Sequence, residues 1–316
     1  MINILTNSLV PIFVGLLLGY AAGLRKIVDN KDVKGLITFL MTFALPCSMF
    51  VIIARTPQQL LWGQVKSAVV LAIVYMAVFV ATYYASRNLG KDTAANSIVL
   101  ASTIGFPNTT GVGFPLLQAV YGPESSVTVA VALAVGAFTL TPITLAILEA
   151  GTSSCRTLPH AARIRTSLWR ALKKPVFWAP VLGVLAAVVK LHTPVYFDNS
   201  LIILGNATEG TALFVTGLIA SAQRFNLNWG VGWAILGKNV IQPALCLAIA
   251  LLVGMPLEQT RYIVLLCALP SGFFGILFGE SFNATPAVAS SSLIASTVLG
   301  IFTLAGWIVL LSHLHW

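Results

Sequence analysis

Apolar runs of about twenty residues follow one another along nearly the whole chain, and a run of that length is what a helix needs to cross a bilayer. Ten can be placed, at 3–23, 35–54, 65–86, 95–120, 126–148, 175–190, 199–222, 230–253, 260–281 and 284–311. Composition agrees: 58% of the 316 residues are hydrophobic and 9% are charged, with a mean hydropathy of +0.92. A soluble domain carries roughly 25% charged residues, so a chain this poor in charge cannot cover a soluble surface. The runs are continuous rather than alternating, which favours helices over the strands of a membrane barrel. The fold class expected is an all-α integral membrane protein.

The net charge of +9 is read from where the basic residues fall. If the spans alternate in direction, 13 of them share one side: Arg25, Lys26, Lys31 and Lys34, Arg87 and Lys91, the linker's Arg156, Arg163, Arg165, Arg170, Lys173 and Lys174, and Arg224. The other side holds four, Arg55, Lys66, Lys190 and Arg261. Basic loops stay cytoplasmic, so both termini are expected on the outer side. No basic residue precedes the first span, which therefore reads as a retained helix rather than a signal peptide. The linker segment "RIRTSLWRALKK" is expected to lie on anionic lipid of the inner leaflet. Nothing in this distribution calls for nucleic acid. Cys47, Cys246 and Cys267 fall in spans and Cys155 in the linker, without the spacing of a metal site or a disulfide.

The chain also repeats itself. "GAFTL" at 136–140 matches "GIFTL" at 300–304, and "MFV" at 49–51 matches "LFV" at 213–215. "VPIFVG" at 10–15 resembles "APVLGV" at 179–184, and "FPNTTG" at 106–111 falls against "LPSGFFG" at 269–275. The pairs keep their order and nearly the same offset, which is the mark of an internal repeat. The domains expected are a first five-helix repeat, 1–148, a basic cytoplasmic linker, 149–174, and a second five-helix repeat, 175–316. An odd number of spans per half inverts the second against the first, as in many secondary carriers.

Spans four and nine correspond in that repeat, and each is interrupted by a proline among small residues, Pro107 in "GFPNTTGVGFP" and Pro270 in "LPSGFFG". Proline removes a backbone donor and clashes with the preceding turn, while glycine eases the unwound state. Freed backbone groups cannot face lipid, so they must line a protein-enclosed site. Paired broken helices point to a transporter's binding site. The N–H groups after the breaks, on Asn108, Thr109, Thr110 and Gly111 and on Ser271, Gly272 and Phe273, are expected to bind an anion. Asn108 adds an amide, and Thr109, Thr110 and Ser271 add hydroxyls. A small dicarboxylate or a monocarboxylate fits two such clusters. The carbonyls before the breaks, on Gly105, Phe106, Ala268 and Leu269, form negative ends suited to a cation. Lys238 and Glu209 are ionisable residues within spans and are read as functional. Lys238 could attract the anion, pair with Glu209 or snorkel to the interface, and Glu209 could carry a coupling proton or Na⁺. No other cofactor is expected. An enzyme is disfavoured: His160, His192, His313 and His315 lie in loops or at the chain end, and no paired carboxylate, phosphate loop or metal cluster stands out. An anion channel is the competing class.

"FPNTTGVGFPLL" at 106–117 resembles the fourth-helix motif of the auxin efflux carrier family, and the likeness extends over ten spans and a central linker. The resemblance implies crossed broken helices four and nine, as in sodium–proton and bile-acid carriers. It also implies a scaffold and a transport domain, elevator-type motion and a carboxylate held beside the crossing. Asn108 matches the family's asparagine after the crossing proline, and Pro107 and Pro270 match the two crossing prolines. "LGNATEGTALFVTGLIAS" and "CALPSGFFGILFGESF" look like the bacterial malonate transporters associated with malonate decarboxylation. That implies malonate as substrate and the inner membrane, with both termini periplasmic. Another dicarboxylate or an auxin-like monocarboxylate stays open, and the assembly allows a homodimer. One departure is "TEGTA", where many members have a proline in span seven.

Overall fold

Each apolar run folds as a helix or as two helices meeting at a break. A computed structural model of the protein describes residues 2–28, 30–56, 63–152, 159–191, 193–222 and 227–314. Helix α1 is Ile2–Leu24. Helix α2 runs from Asn30–Phe39 through a π turn, Leu40–Ala44, into Leu45–Ala54. Then come α3 (Val65–Asn88), α4 (Ala94–Gly105), α5 (Phe114–Tyr121) and α6 (Ser126–Ala150). The linker carries α7 (His160–Leu172), followed by α8 (Pro175–Val188) and α9 (Val195–Ser221). Helix α10 runs from Trp229–Leu236 through a π turn, Gly237–Ile241, into Gln242–Leu252. The chain ends with α11 (Leu257–Ala268), α12 (Phe274–Glu280) and α13 (Ala287–Ser312).

Among the described residues, six helices are long and apolar enough to cross a membrane by themselves: Val33–Ala54, Val65–Asn88, Pro123–Ala150, Val195–Ser221, Trp229–Leu252 and Ala287–Ser312. A seventh forms if α7 and α8, bent by 57°, count as one. Of the other predicted spans, the first is the continuous 23-residue α1 and the rest are short or interrupted. Spans four and nine are each divided at their proline, into α4 and α5 and into α11 and α12. Helix α8 has 14 residues, about 21 Å at 1.5 Å per residue.

Three π turns share a local cause. Leu40–Ala44, Thr109–Gly113 and Gly237–Ile241 each stand just before a proline, Pro46, Pro115 and Pro243. Proline lacks the N–H that an α-turn would use and crowds the carbonyl four residues back. The wider turn absorbs both defects without ending the helix. Pro46, Pro115 and Pro243 are accommodated in this way.

The helices pack as two groups. In one, α1 lies along α9, α2 lies along α8, and α2 and α9 also touch. Glycines bring α1 and α9 together: a Cβ at Gly19 would meet the Phe214 carbonyl at 1.9 Å, and one at Gly217 the Leu16 carbonyl at 2.2 Å. Close backbone approach at small residues is the usual way membrane helices gain packing energy. In the other group α3, α4 and α6 pack together, as do α10, α11 and α13, and α12 lies against α4. The groups meet where α8 and α2 touch α6 and where α1 and α9 touch α13. Large apolar side chains such as Leu17, Trp229, Leu252 and Phe302 point outward, as lipid-facing helices require. The linker helix α7 packs on the end of α6. There Glu149 takes Lys174 at 3.3 Å and Arg170 at 4.0 Å, so part of the basic linker is tied to the helix end.

Candidate functional site

Pro107 and Pro270 fix the geometry from which the site is built. Residues before proline are pushed out of the helical region: Phe106 has φ −103° and ψ 105°, and Leu269 has φ −56° and ψ 152°. Both breaks therefore leave α4 and α11 as extended chain, and the two extended pieces lie side by side. Pro107 pairs with Ser271 as an isolated antiparallel bridge. The Asn108 N–H donates to the Pro270 carbonyl at 3.0 Å, and the Gly272 N–H donates to the Thr103 carbonyl at 3.1 Å. Thr103 is four residues before Pro107, so its carbonyl is the one that proline leaves without a helical partner. Gly272 supplies the missing donor from the other break. A Cβ at Gly272 would meet the Phe106 carbonyl at 2.2 Å, so only glycine lets the chains come this close. Beneath the crossing, Phe106 stacks on Phe274 at 4.7 Å between ring centroids.

The crossing uses five of the seven backbone donors expected to be free, and the Phe273 N–H has no partner among the described residues. Asn108 N–H and Gly272 N–H are used across the crossing, and Thr109 N–H donates to the Pro107 carbonyl at 2.8 Å. Gly111 N–H donates to Asn108 Oδ1 at 3.1 Å, and Ser271 N–H to Ser296 Oγ at 3.1 Å. Groups that cannot face lipid have found one another. The Asn108 side chain is thus partly structural. Its oxygen caps the turn Thr109–Gly113, while its amide nitrogen is not engaged by the described residues. Thr109 Oγ1 and Ser271 Oγ are buried and unpartnered. They are two of eleven buried side-chain atoms without a partner among the described residues; their place at the crossing is what sets them apart, since a ligand with acceptor oxygens there would satisfy both. The side chains of Thr110 and Glu209 lie outside the described residues. Phe273 is buried in the aromatic cluster, 4.7 Å from Phe274.

Lys238 does not snorkel. It is wholly buried, and its ammonium donates to the Cys267 carbonyl at 2.7 Å, near the end of α11. Of the carbonyls named from the sequence, that of Gly105 is met by a side chain of α10, and Lys238 takes the neighbouring Cys267 carbonyl instead. Gln242 Nε2 donates to the Gly105 carbonyl, the last of α4, at 3.0 Å. Asn239 Oδ1 accepts from Ser296 Oγ at 2.6 Å. Gln242, Asn239, Ser296 and Thr103 were missed by the sequence reading. "GKNVIQPAL", with three polar residues inside an apolar span, was the available signal for the first two.

An apolar cavity of about 330 Å³ lies between α1, α9 and α13, with Phe13, Leu16, Tyr20, Gly217 and Ile294 in its wall. No crossing residue lines it. Ile294 and Val298 face it, whereas Ser296, between them, faces the crossing. Its wall is mostly apolar, with Tyr20, Ser290 and Ser291 as its polar members and no charged residue, so the crossing is the stronger candidate for a carboxylate.

Comparison with known proteins gives the same direction. A model of the membrane transport protein family matches residues 4–308. An uncharacterized transporter of Escherichia coli K12, YfdV, is 28% identical over 313 residues, covering 98% of both chains. Auxin efflux carrier component 8 of Arabidopsis thaliana is 22% identical over 357 residues, covering 96% of each. A Rhizobium meliloti protein named for malonate transport is 24% identical over 318 residues, covering 97% of this chain and 96% of its own.

Proposed function

This chain belongs to the family of membrane transport proteins that includes the auxin efflux carriers, and from that premise we propose that it is a secondary carrier of a small carboxylate, malonate first. The observation that carries the reading is the crossing of two broken helices, where the Asn108 amide and the Thr109 and Ser271 hydroxyls have no partner among the described residues. Malonate is a compact dianion, and three side-chain donors just after the two breaks suit its oxygens. Pro107, Gly111, Pro270, Gly272 and Phe273 hold those donors in place.

The reading takes the helices as ten spans in two inverted repeats of five. Matched packing supports it: α1 with α9 mirrors α8 with α2, α3 with α4 mirrors α10 with α11, and α3 with α6 mirrors α10 with α13. The division into two groups supports alternating access by movement of the crossing group against α1, α2, α8 and α9. Both termini would be periplasmic in a bacterial inner membrane, with Glu209 carrying a coupling proton. Glu209→Gln should then change the pH dependence of uptake while leaving substrate exchange largely intact. Loss of binding with coupling unchanged would defeat that assignment.

Purified protein in liposomes, assayed with labelled malonate, tests the reading. Saturable uptake, competed by malonate better than by succinate or indole-3-acetate, is the expected result. Better competition by either rival moves the substrate to another dicarboxylate or to an auxin-like monocarboxylate. Uptake that never saturates makes the protein an anion channel.

A further inference from the structure

Helix α10 reaches both breaks at once. Lys238, Asn239 and Gln242 lie in and just after its π turn, and all three are fully buried. Lys238 takes the carbonyl of Cys267 near the end of α11, and Gln242 takes that of Gly105 at the end of α4. The last carbonyls of a helix have no partner within it, and together they carry roughly half a negative charge per helix end. A buried ammonium with no compensation is expensive. Among the described residues the ion pairs are Arg55 with Asp198 and Glu149 with Arg170 and Lys174, so no described carboxylate answers Lys238. The α11 end sets about half a negative charge against the ammonium, and the uncharged amide of Gln242 meets the α4 end.

We propose that Lys238 is the resident cation of the crossing: its ammonium does for the carbonyl end of α11 what a bound metal ion would do, while the Gln242 amide meets the end of α4, so the protein needs no Na⁺ there. The charge is fixed to the chain and stays with the crossing whether or not substrate is bound. It therefore stabilises the unwound backbone throughout, and it offsets an anion held at the Asn108 side of the same breaks. That second consequence rests on the carrier reading; the first does not.

The test separates the two. Thermal unfolding of purified protein is measured in choline chloride, sodium chloride and methylammonium chloride at equal ionic strength, for wild type and Lys238→Ala. Wild type should unfold at the same temperature in all three. Lys238→Ala should fall by roughly 6 °C or more in choline and recover part of the loss in methylammonium or Na⁺, which can enter the vacated space. Saturable stabilisation of wild type by Na⁺ overturns the proposal. So does a Lys238→Ala protein as stable as wild type in choline, or one that neither cation improves, since a lysine that only fills space would behave that way. If Lys238→Ala is not monodisperse, Lys238→Met keeps the volume without the charge and should show the same fall; a Met variant at wild-type stability overturns the idea. Uptake in liposomes should be equal in sodium and choline. If the thermal series behaves as expected and no carboxylate is taken up, the carrier reading fails and the resident cation stands.

Discussion

The carbonyl of Thr103, which Pro107 leaves without a helical donor, accepts the N–H of Gly272 at 3.1 Å. The defect in one helix is repaired by the defect in the other, and the Asn108–Pro270 bond returns the favour at 3.0 Å. An unpaired backbone group in a bilayer costs several kcal/mol, roughly, so neither break is tolerable without its counterpart. The breaks form one structural unit, and the leftover side-chain donors are held by a frame tied together across the crossing.

Gly272→Ala should therefore fail. Its Cβ would meet the Phe106 carbonyl oxygen at 2.2 Å, and that atom belongs to backbone which cannot swing aside. Gly210→Ala is the control, because a Cβ there meets nothing within 4 Å and alanine favours a helix by about 1 kcal/mol. Size-exclusion profiles and unfolding temperatures should show Gly272→Ala aggregated or sharply destabilised and Gly210→Ala at least as stable as wild type. A well-behaved Gly272→Ala protein would contradict the crossing geometry.

Asn108 combines a cap and a free amide, and two substitutions separate them. Asn108→Ser keeps a capping oxygen for Gly111 N–H but removes the amide nitrogen. Asn108→Ala removes both. A hydrogen bond to a charged group contributes roughly 1.5–3 kcal/mol, so both should weaken substrate binding by about one to two orders of magnitude. Losing the cap costs about 1 kcal/mol more, so only Asn108→Ala should also unfold earlier. Asn108→Asp should bind an anion worst of the three, because carboxylate would face carboxylate. Affinity by calorimetry alongside unfolding temperature resolves the cases; wild-type affinity in Asn108→Ser removes Asn108 from the ligand.

The sequence made the breaks legible because proline and glycine act locally: Pro107 and Pro270 interrupt their spans whatever surrounds them. It did not show where the freed donors go. Gly111 N–H and Ser271 N–H looked available in the chain, yet Asn108 Oδ1 and Ser296 Oγ take them, and Ser296 is 25 residues from Ser271. Lys238 was visible as a charge in an apolar run, but its partner on Cys267, 29 residues away, depends on how two helices pack. Local chemistry can be read along the chain, whereas the choice of partner is tertiary.

Topology can be checked without transport. The 13 basic residues against four are the ground for expecting the linker inside and the termini outside. In a variant lacking the native cysteines, a membrane-impermeant thiol reagent added to intact cells should label a cysteine appended after Trp316 and miss Arg165→Cys. The reverse pattern would invert the protein and remove the support that the charge asymmetry gives to the repeat.

Gln242 and Gln259 offer the same side chain in two settings. Gln242 is fully buried and holds the Gly105 carbonyl at 3.0 Å, whereas Gln259 reaches the Gly63 carbonyl at 3.4 Å from an exposed position. Methionine matches glutamine in length without the donor. Gln242→Met leaves a buried carbonyl unmet at the end of α4, a loss of about 1–3 kcal/mol. Gln259→Met gives up a bond that water replaces, an effect within about 0.5 kcal/mol. The unfolding temperature should thus fall by several degrees for Gln242→Met and barely move for Gln259→Met. Because the Gly105 carbonyl fixes where α4 ends, Gln242→Met should also raise the substrate concentration for half-maximal uptake, although Gln242 touches no ligand. Equal behaviour of the two variants would mean that α10 does not hold the crossing.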